Sequence, residues 1–278
     1  MATESLAELA RIADDVYVFR YQNHAGMFIV SDTGVLLCDP IGEANPRTPH
    51  MIKEAIRSVT DQPVKYVVYS HSASDHSTGG AAFADTAEFV GHKNCATAMA
   101  ARNLPDSPPP KRPFDEQLSL DLGGKKIDLY SADLWQKDDY LILHYPQSKV
   151  VMTVDFVQPK NVPFRTMLGH PDRVAEKLQW IHDKLDFEAL VSGHTQPYLT
   201  GTKEDVLEQR QYLLDLKAAV EHASAHPANS QEMVNAVRAE LAPKYGNWRR
   251  FDEFLALNVQ GAIAWLAGET PNPRAGMR

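Results

Sequence analysis

The chain has 278 residues, of which 44% are hydrophobic and 23% charged, values typical of a soluble globular protein with room for a sizeable core. Its net charge of −8 and pI of about 5.8 disfavour a nucleic-acid partner, because the phosphate backbone attracts basic surfaces. Two cysteines, Cys38 and Cys95, are too few for a disulfide framework and are expected to be core residues. No signal peptide or bilayer-length apolar run is found, so we expect a cytoplasmic protein with no membrane partner.

The first half of the chain is predicted to contain a β–α–β unit. Strand-like segments occupy 16–20 and 26–40, with a hairpin turn in the "SDTG" of the second segment, between two apolar runs. Apolar residues at helical spacing over 47–60 predict a helix, and "VKYVVY" at 64–69 predicts a strand buried on both faces. A strand at 87–92 and a helix at 92–103 follow. The proline-rich segment 104–114 is predicted to be an irregular surface loop.

The second half is predicted to add another sheet and then helices. Strands are expected at 116–124, 125–131, 139–146 and 149–157, followed by a helix at 171–185 and a buried strand at 187–194. From about 203 to 267 the pattern is helical, with a break at 226–230. The last helix is apolar on more than one face, so we expect it to dock on the rest of the chain or on a second copy, forming a homo-oligomer.

Polar side chains capable of binding a metal recur just beyond the predicted apolar strands. They are His71, the neighbouring pair Asp75 and His76, then Asp155, and finally His194. In α/β folds, functional groups gather at the carboxyl ends of strands. Imidazole and carboxylate ligands suit a divalent metal such as zinc, iron or manganese. The sequence therefore predicts a metal centre assembled from several separate segments.

Four segments resemble the metallo-β-lactamase superfamily. "HSASDHSTGG" at 71–80 resembles its His-x-His-x-Asp-His signature, "TVDFV" its Gly-Asp segment, "SGHTQP" its last Gly-His, and "DPIGEANP" its early aspartate, at Asp39. The resemblance spans about residues 15–200. It implies an α/β fold of the αβ/βα four-layer sandwich type, with metals at one edge between two sheets. We expect one such domain over residues 1–278, with a helical C-terminal region at about 203–267.

The departures from the family pattern imply a single metal ion. His71 takes the first histidine position of the first metal site, but Ala73 takes the second, and Gln136 falls where the third is expected. The second metal site keeps its full set of groups, with Asp155 as the residue that bridges in two-metal enzymes. The resemblance thus implies one divalent ion, zinc by preference with iron or manganese as alternatives, bound by Asp75, His76, Asp155 and His194.

The function implied is metal-dependent hydrolysis of a small ester, lactone or amide-like substrate. Catalytic roles are expected for His71 as general base or water-orienting group, for the ligand Asp75, and for Gln136 as a donor to a substrate oxygen. Phe164 and Arg165 lie in the segment after Asp155. Phe164 is expected to make apolar contact with the substrate, and Arg165 to bind a carboxylate of the substrate. The partner is therefore a small molecule.

Several alternatives stay open at this stage. The fold could host a mononuclear iron enzyme doing redox or lyase chemistry, or a silent binding protein whose polar cluster has lost its metal. His71 could be structural, and His24 could either serve its hairpin or face the pocket. Asp39 is expected to support the ligand loop as a hydrogen-bond acceptor. If two metals bind, the missing ligands would come from Asp133, Asp138 or His92.

Overall fold

The computed structural model describes residues 7–43, 45–135, 138–167, 169–194, 198–225 and 229–271. Their backbone divides into two compact units. The first comprises the described residues of Met1–Asp133, Lys137–Val154 and Leu185–Thr200, and the second those of Leu134–Gln136, Asp155–Lys184 and Gly201–Arg278. No helix in these described ranges is both long enough and apolar enough to span a bilayer. The cytoplasmic location stays a prediction.

The larger sheet of the first unit has seven strands in chain order. They are β1 (Ala7–Ala13), β2 (Val16–Tyr21), β3 (His24–Ser31), β4 (Gly34–Cys38), β5 (Val64–Val68), β6 (Glu88–His92) and β7 (Arg112–Phe114). Strands β1 to β4 pair antiparallel, and β4 to β7 pair parallel. Helices α1 (Thr48–Arg57) and α3 (Lys93–Arg102) follow β4 and β6, as the sequence predicts. The β–α–β prediction is confirmed.

Strand β7 corrects the prediction that 104–114 is wholly irregular. Its Pro113 pairs with Gly91 in parallel register at the edge of the sheet. An edge strand tolerates proline, because one side of its backbone has no neighbouring strand that needs an N–H donor. The proline therefore marks the border of the sheet here.

The second sheet of the first unit has five strands. They are β8 (Gln117–Asp121), β9 (Lys126–Ser131), β10 (Leu141–Tyr145), β11 (Val150–Thr153) and β12 (Ala189–Val191), in the order β12-β11-β10-β9-β8. Only the β11–β12 pair among them is parallel. Apolar side chains from both sheets, including Met27, Leu36, Leu129 and Met152, form one buried core. Burying each such side chain is worth about 1.5–3 kcal/mol, so this core fixes the strand ends that carry the site.

Asp15, in the turn between β1 and β2, connects the two sheets of the first unit. Its carboxylate accepts hydrogen bonds from Tyr145 (2.5 Å) and Ser148 (2.6 Å) and pairs with the Lys125 ammonium. Burial acts to raise the pKa of the Asp15 carboxyl. The bonds from Lys125, Ser148 and Tyr145 outweigh burial and hold that pKa below its usual value. The charged form of Asp15 is therefore favoured in the folded state.

The second unit is helical. It contains α4 (Pro171–Lys184), α5 (Lys203–Ser224), α6 (Ser230–Tyr245) and α7 (Phe251–Leu266). Helix α5 ends at Ser224 and α6 begins at Ser230, and residues 226–228 of the predicted break at 226–230 lie outside the described residues. The sequence pattern does not reveal the interruption between α6 and α7. Helix α7 packs on α5 and α6, where buried Asn258 accepts a hydrogen bond from the Tyr212 hydroxyl at 2.7 Å. Its apolar faces thus dock within the same chain, and a homo-oligomer stays a prediction.

Candidate metal centre

A single helical turn, α2 (Ser74–Ser77), carries Asp75 and His76. Ala73 is its N-cap, in extended conformation, and its carbonyl accepts bonds from the backbone N–H groups of His76 and Ser77. The loop before it is fixed because the Ser72 N–H donates to Asp139 Oδ2 at 2.8 Å. Ala73 therefore contributes backbone to the loop where the family signature has a ligand.

The carboxylate of Asp39 lies next to the Nδ1 atom of His76. It directly follows β4, has a φ of 63°, and is fully buried. Its Oδ1 accepts from the Ser70 N–H (2.8 Å), while its Oδ2 accepts from the Ser70 hydroxyl (2.7 Å) and lies 3.1 Å from His76 Nδ1. At this distance Nδ1 of His76 is the ring nitrogen placed to donate to the carboxylate, an arrangement that would leave the lone pair on Nε2. Asp39 thus supports the ligand loop, as expected from the sequence.

The two thiols take no part in this arrangement. Both cysteines are buried and free. Burial raises the pKa of Cys38 well above its usual value, with a further contribution from the neighbouring Asp39 carboxylate. Burial likewise raises the pKa of Cys95. Both side chains are therefore protonated core residues, as predicted, because a thiolate is the form that binds metal.

His71 is a buried neighbour of the same network. Its side chain stacks on Tyr140 with ring centroids 4.2 Å apart, and its Nδ1 lies 2.9 Å from the Ser70 hydroxyl. Ser70 donates its one hydroxyl proton to Asp39, so Nδ1 of His71 must be the donor to Ser70. Nδ1 of His71 therefore carries a proton. Its centroid is 5.1 Å from that of His76.

Three ligand atoms converge at the end of α2. His76 Nε2 and His194 Nε2 are 3.2 Å apart, and Asp75 Oδ2 lies 3.7 Å from the first and 3.8 Å from the second. His76 is fully buried, whereas the Asp75 side chain is 22% exposed. Two imidazole nitrogens come this close when they share a proton or a cation, because lone pairs facing each other repel. The donors fit a divalent cation of the zinc type.

His194 reaches this point through the backbone of Gly193. Gly193 has a φ of 76°, and a Cβ there would lie 2.6 Å from Val154 Cγ1 and 3.1 Å from His76 Cε1. The Gly193 carbonyl accepts a bond from the Ala25 N–H of β3 at 2.7 Å, and His194 forms an antiparallel bridge with His24. Glycine is therefore required at 193 both by conformation and by space.

Asn23 contacts the other side of the His194 ring. Its Nδ2 is 3.1 Å from His194 Nδ1, while its own Oδ1 is buried with no hydrogen-bond partner among the described residues. Turning the carboxamide over would place its oxygen beside His194 Nδ1 as an acceptor, with the NH₂ group in the other position. In that arrangement Nδ1 carries the proton and Nε2 keeps the lone pair that a metal ligand needs.

Within the described residues of the first unit, a second set of side chains could hold a metal ion. It consists of His24, Asp75 and His194, whose ligand atoms lie within 4.8 Å of one another. Asp155 has a φ of 73° and is bonded to Val154, where the chain leaves the first unit after β11. Within the first unit the structure thus brings Asp75, His76 and His194 together, and it adds His24.

Sequence reasoning undervalued His24, which stands at the first position of β3. The signal lay in the two residues that follow it. A Cβ at Gly26 would lie 2.2 Å from the Asp39 carbonyl oxygen, so this small residue lets the start of β3 approach the strand end that carries Asp39. A histidine beside such a close backbone contact is a candidate for a site residue.

The remaining predicted residues are placed as follows. Gln136 lies outside the described residues. In the second unit, the Phe164 ring packs edge-on against Phe254 at 5.3 Å, and the Arg165 carbonyl accepts a bond from Asn258 at 2.6 Å. His92 caps α3 by accepting from the Asn94 N–H, and burial lowers its pKa, which indicates a structural role. Asp133 is exposed and Asp138 is buried.

Comparison with known proteins identifies the fold. No protein-family model and no curated protein matches the chain. Two structures of the sec-alkylsulfatase Pisa1 from Pseudomonas sp. are similar to this chain. A double mutant has a TM-score of 0.77 and 14% identity over 98% of this chain. The second structure has a TM-score of 0.76 and 13% identity over 97% of this chain. A metallo-β-lactamase from Pontibacter korlensis has TM-score 0.64 and 17% identity, covering 75% of this chain and 99% of its own.

These similarities show the metallo-β-lactamase fold, with helices in the C-terminal region, and so confirm the fold class predicted from the sequence. The chain spans about half the length of the alkylsulfatase, 52% in the first structure and 51% in the second. Identities of 13–17% establish the fold alone. What the chain does must be argued from its own side chains.

Proposed function

We propose that this protein is a metal-dependent hydrolase of a small ester, lactone or amide-like substrate, using one divalent cation. The observation that supports the proposal is the convergence of Asp75 Oδ2, His76 Nε2 and His194 Nε2 within 3.2–3.8 Å of one another. Similarity to an alkylsulfatase and a metallo-β-lactamase supports hydrolysis as the reaction class. Asp155 completes the proposed ligand set.

A divalent cation held there would polarise the substrate oxygen and lower the pKa of a water molecule to about 7. The chain's own groups prepare the site for it. Asp39 keeps the proton of His76 on Nδ1, so that Nε2 is available as a ligand. Ser70 holds His71 in the Nδ1–H tautomer, which leaves Nε2 as the proton acceptor. Because Nε2 can accept a proton, we propose that His71 acts as the general base or orients the attacking water.

We propose a single cation because the first metal site of the fold lacks histidine ligands in this chain. Ala73 contributes only backbone to the loop, so the first site of the fold would lack one of its three imidazoles there. Gln136 in place of another would donate an amide hydrogen to a substrate oxygen. Zinc is the proposed ion, because it prefers nitrogen and oxygen donors in low coordination number. Phe164 and Arg165 are proposed to contact the substrate.

The test begins with elemental analysis of protein purified without added metal. One zinc per chain, together with turnover of at least one substrate in a panel of lactones, thioesters, phosphoesters, alkyl sulfates and nitrophenyl esters, supports the proposal. One iron would favour redox or lyase chemistry instead. No metal even after reconstitution would favour a silent binding protein, and two tightly bound ions would show that the ligand assignment is wrong.

Variants then separate ligands from catalytic groups. Asp75→Ala and His194→Ala should abolish metal binding, whereas Gln136→Ala should keep the metal and change turnover. His50→Ala, on the exposed face of α1, is the matched control and should alter neither property. Equal loss of metal from Gln136→Ala and Asp75→Ala would contradict the division of roles.

A further inference from the structure

We infer that His24 is an additional protein ligand of the proposed cation and supplies an imidazole that the family signature does not provide. This inference rests on the proposed metal centre. It concerns a residue at the tip of the β2–β3 hairpin, far in sequence from the α2 turn. It changes the ligand set from two imidazoles to three.

The first argument is where the His24 side chain makes its contacts. Its Nε2 lies 3.8 Å from Asp75 Oδ2, and its ring lies 4.8 Å from the His194 ring and 5.8 Å from the His76 ring, centroid to centroid. Its Nδ1 is buried and has no hydrogen-bond partner within the described part of the chain. All its polar and ring contacts there are therefore to other candidate ligands. A histidine that served only the hairpin would be expected to hydrogen-bond within the hairpin.

The second argument is the spacing of the ligand atoms. Zinc binds nitrogen and oxygen at about 2.0–2.2 Å in sites of four ligands that can expand to five, so neighbouring ligand atoms lie about 3.0–3.4 Å apart. The separations from Asp75 Oδ2 are 3.8 Å to His24, 3.7 Å to His76 and 3.8 Å to His194. His24 is therefore as well placed around this carboxylate as the two histidines of the signature. The ligand atoms of His24, Asp75 and His194 also lie within 4.8 Å of one another.

The third argument is that the backbone holds His24 in place. His24 pairs with Tyr21 across the hairpin and bridges to His194, and the next residue, Ala25, donates to the Gly193 carbonyl at 2.7 Å. The hairpin turn includes Gln22 in a left-handed conformation, with a φ of 53°. The ring is thus delivered to the site by paired strands, which position ligands more precisely than a loop does.

The test compares His24→Phe with the wild type. Phenylalanine keeps an aromatic ring and a strong preference for strands but removes both ring nitrogens. Zinc affinity is measured by competition with a chromophoric chelator, and the number of imidazole ligands by X-ray absorption of the zinc-loaded protein. Loss of an orienting group alone costs about 10–100-fold in affinity, so loss of a ligand should cost about 100-fold or more. The imidazole count should fall from three to two.

His50→Phe is the control and should leave both measurements unchanged, since His50 is exposed on α1. Circular dichroism and thermal unfolding of the metal-free proteins verify that His24→Phe is folded. An unchanged zinc affinity, or two imidazoles in both proteins, would overturn the inference about His24 while leaving the proposed function intact. A wild-type protein that binds no zinc would overturn both.

Discussion

Replacing Asp39 with asparagine should weaken metal binding without removing any ligand. The buried carboxylate accepts two hydrogen bonds, from the Ser70 N–H and the Ser70 hydroxyl, and its Oδ2 lies 3.1 Å from His76 Nδ1. Asparagine keeps one oxygen for the Ser70 N–H but presents an NH₂ group where Oδ2 stood. Its N–H would face the N–H of His76, so the imidazole must move its proton to Nε2, the atom that should bind the cation.

The size of the effect follows from the bonds that are lost. A hydrogen bond to a charged group contributes about 1.5–3 kcal/mol. Groups that orient a metal-bound histidine are worth about 10–100-fold in metal affinity, or about 1.4–2.8 kcal/mol. The two ranges agree, so we expect Asp39→Asn to bind zinc about 10–100-fold more weakly.

Isothermal titration with zinc measures this affinity directly, and unfolding in urea measures stability separately. The control is Asp128→Asn: Asp128 is also buried, and it accepts bonds from Ser119 and Lys126 in the second sheet. Asp128→Asn should lose stability and keep its zinc affinity. If folded Asp39→Asn bound zinc as tightly as the wild type, the tautomer argument would be refuted.

Three further predictions test the scaffold. Gly193→Ala should lose about 1–3 kcal/mol of stability in urea unfolding and bind zinc more weakly. The control is Gly124→Ala: Gly124 has a φ of 85°, but no atom lies near the position of its Cβ, so this variant should show only the smaller conformational cost. Asp15→Asn should be less stable than the wild type by about 1.5–3 kcal/mol at neutral pH. Because folding lowers the pKa of Asp15, this difference should persist above the unfolded pKa of about 3.9 and vanish as the pH falls through the folded pKa. A stability difference that stayed constant at all pH values would exclude this cause. Removing zinc with a chelator should lower the free energy of unfolding by about 2.7 kcal/mol relative to protein in zinc at 100 times the dissociation constant, and an unchanged melting curve would argue against a folded-state site.

The sequence predicts the interior of the fold better than its borders. Strand β11 is an apolar run whose residues are all buried, and β5 is apolar and buried apart from exposed Lys65 and half-buried Tyr66. Such runs are visible in sequence. The edge strand β1 has the sequence "AELARIA", whose alanine, glutamate and leucine favour a helix, yet it pairs with β2 over its length. Pairing with a neighbouring strand overrides local propensity, and the pairing partner cannot be read from the strand itself.

The candidate site shows the same division. Asp75, His76 and His194 were predicted because they follow buried strands and match a known spacing, and the structure brings their ligand atoms together. His24 and Asn23 contribute from the turn of a hairpin, where polar residues are ordinary and carry no distinguishing pattern. Their approach depends on tertiary pairing of β3 with the segment at Gly193, and the small residue Gly26 is its local sign in the sequence.

The short segment Val191–His194 takes part in both sheets of the first unit. Val191 pairs with Met152 of β11 in the second sheet, and two residues later Gly193 bonds to Ala25 of β3 in the first. An ion seated on His194 would therefore also resist separation of the two sheets at this end. Its departure should first be detected as faster solvent exchange of the Ala25 amide hydrogen, long before global unfolding.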